Sequence, residues 1–176
     1  MATTLAMNSL AAITAALGVG FASLTGADDL AYDDAELDRL TRAELAQHAW
    51  TEFERADRDG DKVLSADEYS ALAIIKAELA HLNGFIALDI DGDVRTIAIP
   101  VSDQSALSRT EHIRIEAVAR HTFYAFAGAD GKMDADDFIG LNAAIFAAAD
   151  RNNNQALTKI ELKAYASTQA HLITGA

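Results

Sequence analysis

The sequence predicts a mainly α-helical protein made of two similar halves with a β-hairpin inserted between them. Alanine is abundant and Pro100 is the only proline, a composition that favours helices. The two halves overlay with an offset of 93 positions, which places Asp57 on Asp150, and such repeats first indicate architecture. Between the halves, residues 85–99 are rich in β-branched side chains that alternate in polarity around an Asp-Gly turn, as in a hairpin.

Composition restricts the function classes. The chain has 176 residues, 51% of them apolar, and a formal net charge of −13. The apolar share is enough for a sizeable core. Nucleic acid is excluded as an expected partner because the acidic surface does not neutralise phosphates, whereas an acid surplus suits the binding of cations. The absence of cysteine excludes disulfides, thiolate metal sites and cysteine nucleophiles.

The N-terminal segment, residues 1–27, has no charged side chain. Three hypotheses stay open for it. It is a secretory signal cleaved after Ala27, a membrane span, or a helix that docks on the core. The lack of Lys or Arg counts against the first two, and a membrane span ranks last. A retained helix would leave the protein in the cytoplasm, whereas a cleaved signal would direct it to the periplasm or outside the cell. The docking stripe would consist of Leu10, Ile13, Leu17, Phe21 and Leu24.

The run 57–68 has oxygen-bearing side chains at its first, third, fifth and twelfth places. The ligands predicted for it are Asp57, Asp59, Asp61 and Glu68, with the backbone carbonyl of Val63 at the seventh place. A loop that doubles back aims alternate side chains at one point, and Ca²⁺ takes six to eight such oxygens. Leu64, at the eighth place, points away from the ion and can join a short strand with a second loop. The spacing therefore predicts a calcium site.

The run 150–161 repeats this pattern in the second half. Its predicted ligands are Asp150, Asn152, Asn154, the carbonyl of Ala156 and Glu161. It offers two carboxylates where the first run offers four, so tighter binding is expected in the first run. At the sixth place, where glycine is usual, the two runs have Lys62 and Gln155. Left-handed backbone there should cost roughly 1 kcal/mol each.

Two degenerate copies lie 24 residues upstream of these runs, at 33–44 and 126–137. The places that have lost their ligands hold Ala35, Leu37, Phe126 and Gly128. Neither copy is expected to bind calcium, and each is expected to pair with the intact run that follows it. The four runs are called loops 1 to 4 in chain order: 33–44, 57–68, 126–137 and 150–161.

Helices are predicted around these loops. Their approximate spans are 41–56, 65–83, 107–126 and 158–173, with a further helix between loops 3 and 4. Capping boxes are predicted at Thr41 with Glu44 and at Ser108 with Glu111.

The hairpin is predicted to have strands 85–90 and 94–99 and a three-residue turn, which would place Asp89 opposite Arg95. A rival hypothesis is a further calcium loop that begins at Asp89, but its twelfth place is Pro100, which offers no side-chain oxygen. The hairpin either covers the seam between the halves or presents an edge to a partner.

These loops resemble those of the EF-hand calcium-binding superfamily, and the 24-residue spacing is similar to that of compact tandem hands common in bacterial proteins. The resemblance covers residues 28–83 and 107–173. It implies helical pairs joined by a short β-bridge between loops, with Ca²⁺ as the bound ion. The expected organisation is an apolar segment at 1–27, one EF-hand pair at 28–83, the hairpin insert at 84–106 and a second pair at 107–176. Each pair would contain one intact and one degenerate loop.

The expected function is calcium binding, as a buffer or as a sensor. The alternative is an interaction module that holds a protein partner through the hairpin or an apolar groove, with calcium only structural. Methionine is scarce, so a Met-rich groove is not expected. Phosphate-loop and nucleophile motifs are absent, and the chain is not expected to be an enzyme.

Overall fold

The computed structural model describes residues 35–99 and 106–174. In that part of the chain the helices are α1 (Arg42–Ala56), α2 (Ala66–Asn83), α3 (Arg109–Phe126), α4 (Ala135–Ala149) and α5 (Lys159–Thr174). The strands are β1 (Arg39–Thr41), β2 (Phe85–Ile90), β3 (Asp93–Ala98) and β4 (Ala156–Thr158). The protein is therefore mainly helical, with two small antiparallel sheets. The hypotheses for residues 1–27 fall outside the described residues.

Four of the helices begin with a capping box. In each box the N-cap side chain accepts a hydrogen bond from the backbone three residues on, and the acid there accepts one from the N-cap backbone. The pairs are Thr41–Glu44, Ser65–Glu68, Ser108–Glu111 and Asp134–Asp137. The two boxes predicted from the sequence are confirmed. Because three of the boxes close loops 1, 2 and 3, the same acids fix both a loop's end and a helix's start.

Short bridges join the loops across the two halves of the chain. Strand β1 pairs antiparallel with β4, so that Leu40 lies opposite Leu157. An isolated antiparallel bridge joins Leu64 to Met133, with N–O distances of 2.7 and 3.2 Å. All four residues stand at the eighth place of their loops. Loop 1 thus pairs with loop 4, and loop 2 with loop 3. The expectation that each intact loop pairs with the loop 24 residues upstream is wrong for the described residues.

The length of the connecting helices explains this difference. Helix α1 has 15 residues and leads directly from loop 1 into loop 2, and α4 connects loops 3 and 4 in the same way. A helix of this length is about 22 Å long. Consecutive loops are therefore held at opposite ends of a rigid rod, where they cannot reach each other.

The hairpin has a tighter turn than the sequence suggests. Ile90 lies opposite Asp93, which leaves Asp91 and Gly92 as a two-residue turn with φ values of 55° and 85°. Two consecutive positive φ angles are typical of the type I′ turn that fits twisted strands. Asp89 consequently faces Val94, so the expected pairing with Arg95 is wrong. Its carboxylate instead forms an ion pair at 2.7 Å with Arg55 of α1.

The hairpin forms part of the core. Its buried residues join one hydrophobic cluster with the pairing residues of loops 1 and 4 and with α5; the members include Leu40, Ile86, Leu88, Ile90, Ile97, Phe146, Leu157, Leu162 and Tyr165. Loop 1 also extends this sheet, since Thr96 exchanges backbone hydrogen bonds with Ala35 and Leu37. The sequence left open whether the hairpin covers a seam or presents an edge, and its inward face is covered by the core.

A second buried cluster surrounds the bridge between loops 2 and 3. It includes Ala49, Phe53, Leu64, Leu72, Phe123, Met133, Phe138 and Leu141. Helices α1 and α4 contribute to both clusters in opposite order: α1 enters the first cluster near its start and the second near its end, whereas α4 does the reverse. The two helices pack against each other and thereby connect the two pairs of loops.

Candidate metal centre

Loop 2 lies between the end of α1 and the start of α2. Asp57 is the C-cap of α1, and its backbone N–H donates to the carbonyl of Phe53 at 3.0 Å. Ser65 is the N-cap of α2. The first and ninth places of the loop are thus fixed by helix ends, and the residues between them must reverse the chain direction in a few steps.

The acids of loop 2 are held by amides of the same loop. The two carboxylate oxygens of Asp57 accept hydrogen bonds from the backbone N–H groups of Gly60 at 2.8 Å and Lys62 at 3.0 Å. Asp59 accepts from the amide of Asp61, and Asp61 accepts from that of Val63, each at 3.1 Å. Each acid thereby keeps its side chain turned over the loop.

These bonds bring three of the predicted ligands together. One carboxylate oxygen each from Asp57, Asp59 and Asp61 lies within 4.8 Å of the other two. Like charges at this separation repel, and a bound cation would relieve the repulsion. Carboxylate oxygens are hard ligands, which suit Mg²⁺, Ca²⁺ or Mn²⁺. The donor set therefore fits a hard divalent cation.

Glu68, predicted as the twelfth-place ligand, lies outside this triad and ties the loop together. Its Oε1 accepts from the amide of Arg58 at 3.0 Å, and its Oε2 accepts from the backbone N–H and the hydroxyl of Ser65 at 2.9 and 2.8 Å. Burial acts to raise the pKa of Glu68, but the bonds from Ser65 and Arg58 outweigh it and hold that pKa below its ordinary range. Glu68 is therefore anionic and connects the two ends of the loop through its hydrogen bonds to Arg58 and Ser65.

Loop 4 repeats this hydrogen bonding. The oxygens of Asp150 accept from the amides of Asn154 at 3.2 Å and Gln155 at 2.9 Å. Asn152 accepts from the amide of Asn154 at 3.0 Å, and Asn154 accepts from that of Ala156 at 2.9 Å. Asp150 is the C-cap of α4, as Asp57 is of α1. The pattern thus recurs 93 positions later with two differences. The acids at the third and fifth places have become amides, and one oxygen of Asp150 accepts from the fifth-place amide where that of Asp57 accepts from the fourth-place amide.

Glu161 closes loop 4 as Glu68 closes loop 2. Its Oε1 accepts from the amide of Arg151 at 3.1 Å, and its Oε2 accepts from the amide and the hydroxyl of Thr158 at 3.0 and 2.8 Å. The bonds from Thr158, reinforced by that from Arg151, lower the pKa of Glu161. The side-chain amide of Asn152 also donates to Oε1 of Glu161 at 3.0 Å. This bond leaves the side-chain oxygen of Asn152 directed at the loop, where it accepts from the amide of Asn154.

The two loops differ in exposure. Asp150 is 7% exposed and Glu161 is 5% exposed, whereas their counterparts Asp57 and Glu68 in loop 2 are half-buried. The third- and fifth-place side chains are exposed in both loops. Loop 4 therefore encloses its first- and twelfth-place donors more than loop 2 does, while loop 2 has more carboxylates.

The left-handed backbone predicted at the sixth place is confirmed. The φ angle is 68° at Lys62 and 63° at Gln155. Sequence reasoning missed a second positive φ at the fourth place, where Gly60 has 74° and Asn153 has 55°. The signal was available, because glycine and asparagine are the residues that most readily adopt left-handed backbone.

Loops 1 and 3 show no comparable convergence of acids. Among the described residues, the carboxylate triad of loop 2 is the one such group. In loop 1 the third and fifth places, Ala35 and Leu37, bond to the hairpin instead; its first place, Asp33, lies outside the described residues. In loop 3 the amide of Gly128 bonds to the carbonyl of Lys132 at 2.8 Å. Both loops keep the bridge residue, which is the feature that pairing needs, and the capping box that starts the next helix.

A lysine of loop 3 forms an ion pair with an acid of loop 2. The ammonium of Lys132 lies 3.3 Å from Oδ2 of Asp61. Both side chains are about half exposed, so the pair is a weak one by itself. Sequence reasoning missed this contact because it depends on which loops pair.

A buried polar cluster was also missed. Glu52 of α1 forms an ion pair with Lys76 of α2 at 2.9 Å, and His48 of α1 accepts at Nδ1 from the amide of Asp89 at 3.1 Å. Glu52 and Lys76 line a cavity of about 50 Å³ between the helices, together with Tyr69, Asn142 and Gln169 among others. This cluster connects α1 to α2 and to the hairpin, away from the loops.

Comparisons with known proteins find no matching family model, no similar curated protein and no similar solved structure. Among the described residues, no helix combines the length and the hydropathy that a membrane span needs.

Proposed function

We propose that the protein binds calcium through loops 2 and 4, in the manner of EF-hands. The observation that supports this most strongly is a hydrogen-bond pattern that occurs in two loops of the chain. In both loops the side chains at the first, third, fifth and twelfth places accept hydrogen bonds from backbone amides at equivalent places of the loop. The alternative is that loop 2 is only a solvated acidic turn. That alternative does not explain why loop 4 has the same pattern at equivalent places.

The pairing of the loops supports the same proposal. Each intact loop has a helix on both sides and meets a degenerate loop through an antiparallel bridge at the eighth place. An EF-hand pair needs a partner loop for this bridge, which explains why loops 1 and 3 keep their bridge residues without keeping their ligands. In this proposal the pairs are loops 1 with 4 and loops 2 with 3.

Calcium is the proposed ion because all the predicted ligands are oxygens. The side chains of Asp57, Asp59 and Asp61 already converge, and Glu68 lies at the junction with α2. Zn²⁺ and Cu²⁺ prefer imidazole or thiolate ligands, and neither type occurs at a ligand place of loops 2 or 4. Mg²⁺ requires a smaller octahedral shell and gives up its water reluctantly, so it should compete poorly.

Buffering, or calcium-dependent stabilisation, fits better than partner capture by an open groove. The cluster around loops 2 and 3 is closed, with Leu64, Phe123 and Met133 fully buried. The ion pair of Glu52 with Lys76 also links the two helices that flank loop 2. A sensor would have to separate these helices to expose a groove. A protein partner, whether held by a groove or by the hairpin, stays a prediction.

Calorimetric titration with calcium tests the proposal on the wild type, Glu68→Gln and Glu161→Gln. Two sites are expected in the wild type. Loop 2 is expected to be the tighter site because it has more carboxylates. Glu68→Gln should abolish this site, and Glu161→Gln should abolish the weaker site in loop 4.

The matched control is Glu44→Gln in loop 1. This residue occupies the same twelfth place and the same kind of capping box, but its loop lacks the third- and fifth-place ligands. Its substitution should leave two sites. An absence of calcium binding by the wild type at millimolar concentration would contradict the proposal, and four sites would show that loops 1 and 3 also bind.

A further inference from the structure

A small cavity lies where helices α1 to α5 meet. Each of these helices contributes a polar side chain to its lining; in chain order they include Glu52, Tyr69, Thr122, Asn142 and Gln169. None of the predicted calcium ligands lines it. The volume is about 50 Å³, and one water-sized group takes about 10–15 Å³. The cavity therefore has room for a molecule larger than a single water, away from the loops.

Asn142 presents an amide oxygen to this cavity. The residue is 5% exposed, and its Nδ2 donates to the carbonyl of Phe138 at 3.0 Å. Because a carbonyl can only accept, this bond fixes which end of the side chain is the nitrogen. Every fully buried side-chain nitrogen or oxygen in the described residues has a hydrogen-bond partner. No donor from those residues reaches Oδ1 of Asn142, so this oxygen must stay accessible, and the space that Asn142 lines is the cavity.

Two further polar groups face the same space. Gln169 is 6% exposed, and its Nε2 donates to the hydroxyl of Tyr165 at 3.2 Å. Its oxygen receives no donor from the described part of the chain. Burial, together with the charge of Glu52, raises the pKa of Tyr69, so the hydroxyl of Tyr69 stays protonated and can donate. The lining thus offers two amide oxygens as acceptors and one hydroxyl as a donor.

The charges that line the cavity are already balanced. The ammonium of Lys76 lies 2.9 Å from Oε1 of Glu52 and 3.0 Å from its Oε2. A charged ligand of either sign would add a buried charge without a partner, which is costly. The cavity therefore suits a neutral molecule.

The rest of the lining is apolar and includes Leu72, Phe138 and Leu141. We propose that the cavity binds a small neutral molecule of about four or five non-hydrogen atoms, with hydrogen-bond donors at one end and a short alkyl group at the other. A short primary carboxamide is the simplest example. Its N–H groups donate to the oxygens of Asn142 and Gln169, and its alkyl group contacts the apolar wall. A ligand of this size reaches a Kd of tens of micromolar at best.

Three probes of one shape test the ligand class on the full chain. Acetamide is neutral and has donors, acetate is anionic and has none, and acetamidinium is cationic and has donors. The NMR signals of the side-chain amides of Asn142 and Gln169 report on the cavity directly. Acetamide should shift both signals saturably, and acetate and acetamidinium should bind at least about tenfold more weakly.

Matched variants test the place. Asn142→Leu keeps a similar size and removes the acceptor, and Ala73→Leu places a larger side chain at a residue that lines the cavity. Ala71→Leu makes the same change on α2 at a half-buried residue outside the lining. The Gln169 signal should lose its saturable response to acetamide in the first two variants and keep it in the third. Helical circular dichroism checks that each variant is folded.

Four results would overturn the proposal. The absence of a saturable response to acetamide in the wild type would mean that the cavity holds water alone. Binding of acetamidinium as tight as that of acetamide would show that the charge of Glu52 selects the ligand. A response that persists in Asn142→Leu or Ala73→Leu would place the binding elsewhere. A response lost in Ala71→Leu as well would show that it depends on the packing of α2 and not on the cavity.

Discussion

At the residue scale, loops 2 and 4 depend on backbone angles that few side chains adopt. Lys62 and Gln155 both have left-handed φ angles because the chain must turn there to direct its amides at Asp57 and Asp150. The strain at each residue is roughly 1 kcal/mol. Such strain is retained where the surrounding structure requires the conformation, and here the turned amide holds the first-place acid in position.

Replacing Lys62 by glycine should relieve this strain. Lys62→Gly is expected to raise the free energy of unfolding by up to about 1 kcal/mol, measured by urea denaturation, and to tighten calcium binding at loop 2. The matched control is Arg58→Gly, which removes the same charge from an exposed place of the same loop where φ is negative. Equal changes in the two variants would show that charge, and not the backbone angle, is responsible.

At the scale of elements, a buried polar cluster links α1 to the hairpin and to α2. Burial lowers the pKa of His48, although the charge of Glu52 opposes this. Neutral His48 accepts at Nδ1 from the amide of Asp89, a bond that a proton at Nδ1 would remove. Burial tends to raise the pKa of Glu52, but the charge and hydrogen bond of Lys76 together with the nearby basic side chains His48 and Arg55 outweigh burial, and the pKa is lowered. The cluster therefore favours a neutral histidine beside an anionic glutamate.

These shifts predict that acid destabilises the fold in two stages. The unfolded chain takes up a proton at His48 near the ordinary value of 6.5, before the folded protein does, so the free energy of unfolding should fall as the pH drops below that value. The contribution of Glu52 is present above its ordinary pKa of 4.5 and is lost only as the pH falls below it.

Urea denaturation between about pH 7 and pH 5 checks the first stage. His48→Gln keeps an acceptor for the Asp89 amide but does not titrate, so its stability should fall less than that of the wild type over this range. The control, His121→Gln, replaces an exposed histidine of α3 and should follow the wild-type curve. If His48→Gln and the wild type lose the same stability, His48 is not the group that titrates.

At the scale of the whole molecule, the crossed bridges make the stability of each half depend on the other. The crossed bridges are the pairings of loop 1 with loop 4 and of loop 2 with loop 3. Leu64 and Met133 belong to different halves, and each completes the core of the other. Fragments 28–99 and 106–176 should each show little helical circular dichroism alone, and an equimolar mixture should restore most of the helical signal. A fragment that kept its full helical signal alone would contradict this interdependence.

Two variants of the first fragment make the mixing experiment specific. Leu64→Asp places a charge at a fully buried bridge residue and should prevent reassociation, since an unpaired buried charge is costly. Ala98→Asp introduces the same charge on the hairpin at an exposed residue opposite Phe85, and it should leave reassociation intact.

Local features of the fold were predictable from the sequence. Helix starts followed from the spacing of Thr41 with Glu44 and of Ser108 with Glu111, because a capping box involves only four consecutive residues. The convergence of Asp57, Asp59 and Asp61 followed from alternation within a short loop. Features between distant segments were not predictable in this way. The partner of each loop depends on the length of α1 and α4, and the ion pair of Asp89 with Arg55 depends on how α1 packs on the hairpin.

The two crossed bridges are equivalent under the 93-residue offset between the halves. Moving 93 positions along the chain converts Leu40 into Met133 and Leu64 into Leu157, so the bridge of Leu40 with Leu157 becomes that of Met133 with Leu64. This is isologous contact, in which the same patch meets itself about a two-fold axis, as in symmetric dimers. The single chain thus has the pairing scheme of a dimer whose two subunits are joined into one backbone. The hairpin, present once in the described residues, breaks that symmetry, so equivalent substitutions in the two halves should differ in effect on the side where it packs.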